Sequence, residues 1–173
     1  RVDLAVFGLI PSWSKDRSIG RRTYNARAET VAEKPSYRTA WRQRHFCLVP
    51  LGRFFEPCWE TGKAVPWSIH RQDGEPFTVA GIWDRWNDRA TGEIVVSFSM
   101  LTINADGHPI MGRFHRPGDE RRSLVVVPRR AWHDWLTAST ETARAMLAEM
   151  PVAEFTSESA MGLSSAPAQA SFL

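Results

Sequence analysis

The sequence is poor in the residues that build covalent staples and metal centres. It holds two cysteines, Cys47 and Cys58. Two thiols exclude a disulfide framework and any four-thiolate metal site. Neither Cys-x-x-Cys nor His-x-x-x-His occurs, so no metal site and no cofactor are expected. No apolar run reaches the roughly 18 residues of a membrane-spanning helix, and no signal peptide is visible. These absences predict a cytoplasmic protein with no membrane partner. Charge of one sign is also scarce: 22 basic residues face 19 acidic ones, and the net +3 does not by itself imply nucleic acid.

The composition that is present suits one domain. The chain has 173 residues, of which 43% are apolar and 24% charged. A chain of this length buries roughly 70% of its unfolded surface, enough for a real core. Eight tryptophans supply either core volume or stacking surface. The basic residues are clustered. Arg17, Arg21, Arg22, Arg27, Lys34, Arg38, Arg42 and Arg44 lie between Lys15 and Arg53, opposed locally by Asp16, Glu29 and Glu33. Such an excess suits either a solvated face or a polyanion partner.

Strand patterns dominate the middle of the chain, over 45–49, 53–59, 67–71, 77–83, 94–103 and 123–127, rich in Val, Ile, Phe and Trp. Gly62 and Gly74 mark tight turns. Helices are predicted over 36–44, 128–137 and 139–150. Residues 157–173, rich in Ser and Ala, read as a peripheral tail. Residues 1–9 read as a strand pattern already under way, so an N-terminal portion is expected before Arg1. The fold expected is a single α+β domain over 1–173, built on a mostly antiparallel, bent or barrel-like sheet with a few peripheral helices.

Three places carry chemistry. In N-A-R-A-E-T, Asn25 to Thr30, an extended backbone would put Asn25, Arg27 and Glu29 on one face as a polar platform. Glu56 lies among aromatics in R-F-F-E-P-C-W, on the face of Phe54, where desolvation would raise its pKa toward proton-transfer duty near neutrality. His115 lies in a loop with Arg113, Arg116, Arg121 and Arg122, a setting for phosphate that also favours neutral imidazole. His45, His70, His108 and His133 read as structural, as does Cys47. Cys58 is either a packing thiol or, with His115 beside it, a hydrolase nucleophile.

Four blocks in order closely resemble the SOS response-associated peptidase (SRAP) family, whose members sense abasic sites in single-stranded DNA. They are G-L-I-P-S-W-S-K-D from Gly8; N-A-R-A-E-T with E-K-P-S-Y-R at Glu33 to Arg38; C-L-V-P with F-F-E at Phe54 to Glu56; and S-M-L-T-I-N at Ser99 to Asn104, leading to His115. The resemblance implies that Asn25, Glu56 and His115 are catalytic, and that Trp13, Arg27, Thr102 and Arg116 face the DNA. It also implies the reaction. The α-amine of a Cys following the initiator Met condenses with the sugar aldehyde, and its thiol closes a thiazolidine cross-link. Glu56 shuttles protons, His115 assists and holds the phosphate, and Asn25 positions the N-terminal residue. Removal of the initiator Met and lyase-like chemistry follow from the same apparatus.

The chain departs from the family pattern in three places. Residue 1 is Arg, so the polypeptide as given is expected to be inactive in cross-linking without the N-terminal Cys. Arg53 and Pro57 replace a usual Gly and Trp. The His115 loop is enlarged, which leaves Arg116 or Arg121 for the phosphate. The expected partner is single-stranded DNA with abasic sites, bound by a monomer. The alternative is a non-catalytic single-stranded DNA-binding module that stacks bases on Trp and neutralises phosphates with the basic cluster.

Overall fold

The most continuous strand pattern in the sequence becomes the strand on which the sheet is assembled. The structure is a computed structural model that describes residues 2–161. In chain order its strands are β1 (Val6–Phe7), β2 (Asn25–Arg27), β3 (Phe46–Leu51), β4 (Arg53–Cys58), β5 (Val65–Arg71), β6 (Phe77–Asn87), β7 (Ile94–Asn104), β8 (Arg122–Leu124) and β9 (Phe155–Ser159). The helices are short: α1 (Arg38–Arg42), α2 (Trp132–Thr137) and α3 (Thr140–Ala145). None among the described residues is long and apolar enough to cross a membrane.

β7 takes neighbours along both edges. β1 and β2 run parallel to it, at Ser97–Phe98 and Met100–Thr102, while β6 and β8 pair antiparallel. β3 continues the sheet beyond β6. The second sheet is antiparallel, in the order β4-β5-β9. The result is the expected α+β domain, with a curled, mostly antiparallel sheet.

Alternation along β6 and β7 divides the apolar side chains between two cores. Ala80, Ile82 and Leu101 face one side and pack with Trp41, Phe46 and Trp135 beneath the helices. Phe77, Val79 and Met100 face the other and pack with Phe54, Ile69, Phe114 and Phe155 between the two sheets. β6 and β7 separate beyond Gly81. There Val125 bonds to both strands (Ala80 N–H to Val125 O, 2.8 Å; Val125 N–H to Leu101 O, 3.1 Å) and curls the sheet.

Several predicted boundaries shift for physical reasons. Near the start only Val6–Phe7 is strand, because Val2 and Leu4 stand exposed with nothing to pack on. The helix predicted over 139–150 stops at Ala145. The chain then turns to bury Met150 in the inter-sheet core, where the Met150 carbonyl accepts a bond from His108 Nε2 at 2.6 Å. His108 Nδ1 accepts from the Ile110 and Met111 amides, which fixes that tautomer and makes His108 structural. Residues 157–159, read as the start of a tail, belong to β9, which Phe155 anchors by its burial. The rest of that tail from residue 162 lies outside the described residues.

The G-L-I-P-S-W block owes its first residue to backbone crowding. Gly8 has φ +99°, and a Cβ there would stand 2.2 Å from the Gly20 carbonyl oxygen. Gly8→Ala is therefore expected to lower stability by about 2 kcal/mol or more, combining a disfavoured φ with a clash between backbones. Denaturant midpoints of the two proteins measure the difference.

Candidate active site

Parallel pairing with β7 decides what β2 presents. Ala26 sits opposite Leu101 and is fully buried beneath the helices, so Asn25 and Arg27 emerge on the opposite face. The Asn25 carbonyl accepts from the Tyr37 hydroxyl at 3.1 Å, which fixes the backbone while the side-chain amide stays exposed. The alternation expected to reach Glu29 ends at Arg27. Glu29 lies in the following turn, yet its carboxylate returns to the same wall by accepting from the Asn104 amide (3.0 Å) and from Arg122.

On β4, Phe54, Glu56 and Cys58 form one row. Phe54 and Cys58 are buried in the inter-sheet core, so Glu56 is a carboxyl held between core residues. Its side chain keeps 16% of its exposure. Burial pushes its pKa up to about 8, as the aromatic setting predicts.

His115 arrives at Glu56 through Phe114. Phe114 is fully buried and bridges to Cys58, and the His115 amide donates to the Pro57 carbonyl at 3.2 Å. This docking holds His115 at φ +72°, a left-handed conformation that a non-glycine residue seldom adopts. His115 Nε2 lies 3.8 Å from Glu56 Oε2. Its pKa is lowered chiefly by desolvation, with the Arg121 and Arg122 charges adding to it. The two groups are thus not an ion pair near neutrality. Burial favours the protonated carboxyl and the neutral imidazole together, a proton donor beside a proton acceptor. His115 Nδ1 is buried, with no hydrogen-bond partner at ordinary geometry among the described residues.

Asn25, Glu56 and His115 border one cleft of about 440 Å³, together with Tyr24, Arg27, Trp59, Thr102, Arg116, Asp119 and Arg122. The four residues expected to face DNA differ in freedom, and three of them border the cleft. Arg116 is exposed and has no side-chain partner among the described residues. Arg27 is 57% exposed and paired with Glu120 at 2.5 Å. Thr102 is buried, and its oxygens accept from Arg122. Trp13 does not border the cleft: it is 55% exposed, and its indole N–H donates to the Pro35 carbonyl at 3.2 Å.

Other expectations are revised. Arg113 does not act on His115; it grips Glu60 through two bonds of 2.8 and 3.0 Å and lies over the Trp67 ring. The Arg121 guanidinium is committed to the Gly112 carbonyl at 2.7 Å. Cys58 is buried in the core and does not border the cleft, so among the described residues the cleft holds no thiol for a hydrolase. Burial pushes the Cys47 thiol up to about 12, which leaves it inert.

Sequence reasoning missed Tyr24, Trp59 and the anchoring role of Arg122. Tyr24 directly precedes the polar block, and its ring is backed by Phe7 at 4.8 Å. Trp59 extends the Pro57 side of β4, and its buried Nε1–H has no partner among the described residues. Arg122 carries two carboxylates, Glu29 and Glu120, a convergence of separate segments that no local pattern announces.

Two curled sheets thus frame a cleft that an acid, an imidazole, an amide and arginines line, in a mixed α+β fold. The chain belongs to the SOS response associated peptidase (SRAP) family, which it matches over residues 1–162. It is similar to the abasic site processing protein YoqW of Bacillus subtilis (strain 168), 38% identical over 84 residues, or 47% of this chain and 36% of YoqW. It is also similar to an abasic site processing protein of Saccharomyces cerevisiae, 30% identical over 141 residues, or 79% of this chain and 35% of that protein. A crystal structure of a Bordetella bronchiseptica protein superposes with a TM-score of 0.81 at 35% identity, covering 90% of this chain and 75% of the other. A Bacteroides thetaiotaomicron protein gives 0.76 at 28% identity, covering 88% and 66%. The matches thus span about a third of the curated relatives' own length.

The Glu56 shift has a measurable consequence. Its folded pKa lies above the unfolded 4.5, so its contribution is fully present below pH 4.5 and is lost as pH rises through about 8. The stability of the wild type relative to Glu56→Gln is expected to fall across that window, by at most about 1.4 kcal/mol per pH unit. Urea unfolding of both proteins at several pH values tests this; parallel pH profiles would refute a buried, titrating Glu56.

Proposed function

We propose that this domain processes abasic sites in single-stranded DNA, cross-linking to them through an N-terminal Cys and removing the initiator Met with the same apparatus. The observation that carries the reading is the convergence of Asn25, Glu56 and His115 on one cleft beside Arg27 and Arg116. Membership of the family and the similarity to abasic site processing proteins support it.

An abasic sugar in its open form presents an aldehyde. The neutral fraction of an α-amine of pKa about 7.7–8.0 attacks it to give a carbinolamine. Expelling the hydroxyl as water needs a proton, and a carboxyl with pKa about 8 carries one near neutrality. Glu56 is that donor, and its conjugate base receives a proton in the reverse step. The cysteine thiol then adds to the imine carbon and closes the thiazolidine ring. Neutral His115 accepts and returns protons beside Glu56. The exposed amide of Asn25 orients the N-terminal residue. Arg116, exposed and without a side-chain partner among the described residues while Arg121 is engaged, takes the adjacent phosphate.

In a protein with a free N-terminal Cys, Glu56→Gln is expected to slow adduct formation on an abasic oligonucleotide by roughly 10²–10⁴-fold. Affinity for the intact strand should not change. Denaturing gels follow the adduct and anisotropy follows binding. Loss of both together would make Glu56 structural, and salt-reversible binding without lesion preference or adduct would leave only a DNA-binding module.

A further inference from the structure

The cleft wall carries its own anion. Glu120, on the loop that bears His115, lies between two guanidiniums: Arg27 at 2.5 Å and Arg122 at 2.7 Å. Arg122 is the fixed member. Its side chain is 12% exposed, Glu29 holds it through bonds of 3.0 and 2.8 Å, and it donates to the Thr102 carbonyl at 2.7 Å. Arg27 is the detachable member. It is 57% exposed and borders the cleft, and Glu120 is the partner the structure gives its guanidinium.

The two positive charges of Arg27 and Arg122 thus meet the two negative charges of Glu29 and Glu120. Arg27 points into a cleft meant for phosphates with its charge already answered. If Arg27 leaves, Glu120 does not become an orphan: Arg122 still donates to it, as does the Asn104 amide at 3.3 Å. The Arg122 bond, ahead of the others, holds the Glu120 carboxyl below its ordinary range, so it stays ionised. An exposed ion pair is weak against water and salt, whereas a phosphate offers Arg27 a bidentate, charge-assisted contact. Exchanging one anion for the other is therefore cheap.

We propose that Glu120 is an internal stand-in for a DNA phosphate: it holds Arg27 in the DNA-free protein and yields it to a phosphodiester of the entering strand. This rests on the reading of the cleft as a DNA site. Binding at this subsite is an anion exchange, not the filling of an empty cationic pocket. It lowers the protein's affinity for undamaged single strands by masking one cation, and it keeps Arg27 aimed at the cleft.

The test uses a labelled oligothymidylate without lesions, with anisotropy read over a range of salt. Glu120→Gln, which keeps the shape and removes the charge, is expected to tighten binding roughly three- to tenfold at low salt. The slope of log affinity against log salt should become steeper by about 0.7, the value for one more phosphate neutralised on a single strand. In an Arg27→Gln background the same change should give no gain. An equal gain in both backgrounds would mean that Glu120 acts only through its long-range charge, and would overturn the exchange, as would the absence of any gain. Should Glu120→Gln fail to fold, Glu120→Asp keeps the charge but withdraws it from Arg27, and a gain confined to the Arg27 background is again required. If the wild type itself does not bind the strand, the functional reading falls and this inference with it. Normal wild-type binding with no effect of Glu120 removes this inference alone.

Discussion

The site depends on the burial of one phenyl ring. Phe114 enters the core between the sheets, and its bridge to Cys58 joins the loop to the open side of β4. That contact leaves His115 no choice but to fall beside Glu56, at a backbone angle that it would not adopt alone. The strain of a left-handed histidine, of order 1–3 kcal/mol, is offset by the burial of its neighbour. Glu56 is held in the same way, as the polar member of a row whose other members are core. The Glu56 and His115 side chains are thus displaced from ordinary preferences by the packing of apolar groups on either side.

Charge is arranged on two principles within a few residues. Around Glu56 and His115, burial pushes both groups toward neutrality. Along the wall formed by β2, β7 and β8, charges are kept but paired, in a chain running Arg27, Glu120, Arg122, Glu29. The first arrangement suits proton transfer. The second suits recognition of a charged polymer, because paired surface ions change partners at low cost. Arg116 stands outside both, exposed and unengaged among the described residues.

Much of the fold was legible because β7 and β6 are long, apolar and β-branched, and such segments have little choice of structure. β9 escaped because T-S-E-S has no apolar alternation; Phe155 alone commits it to the sheet. Asn25, Glu56 and His115, which share the cleft, were singled out by their local settings (an alternating polar block, an aromatic strand, an arginine-rich loop) and by a resemblance in motif order. The pairing of Arg122 with Glu29 and Glu120 was not legible, since it joins residues up to 93 positions apart. Charge counting along the sequence does not show which cations are already paired. Arg17 lies in the basic cluster, yet it is answered by Asp88 and Glu93 from the β6–β7 turn.

The central place of β7 has a consequence for biogenesis. Val6–Phe7 and Asn25–Arg27 pair as strands with one that begins at Ile94. On the ribosome, these first segments emerge well before that template exists. For some seconds, at synthesis rates of roughly 5–20 residues per second, the strand they pair with has yet to be made. Their brevity, two and three residues, is then protective: edges so short give aggregating neighbours little to zip onto.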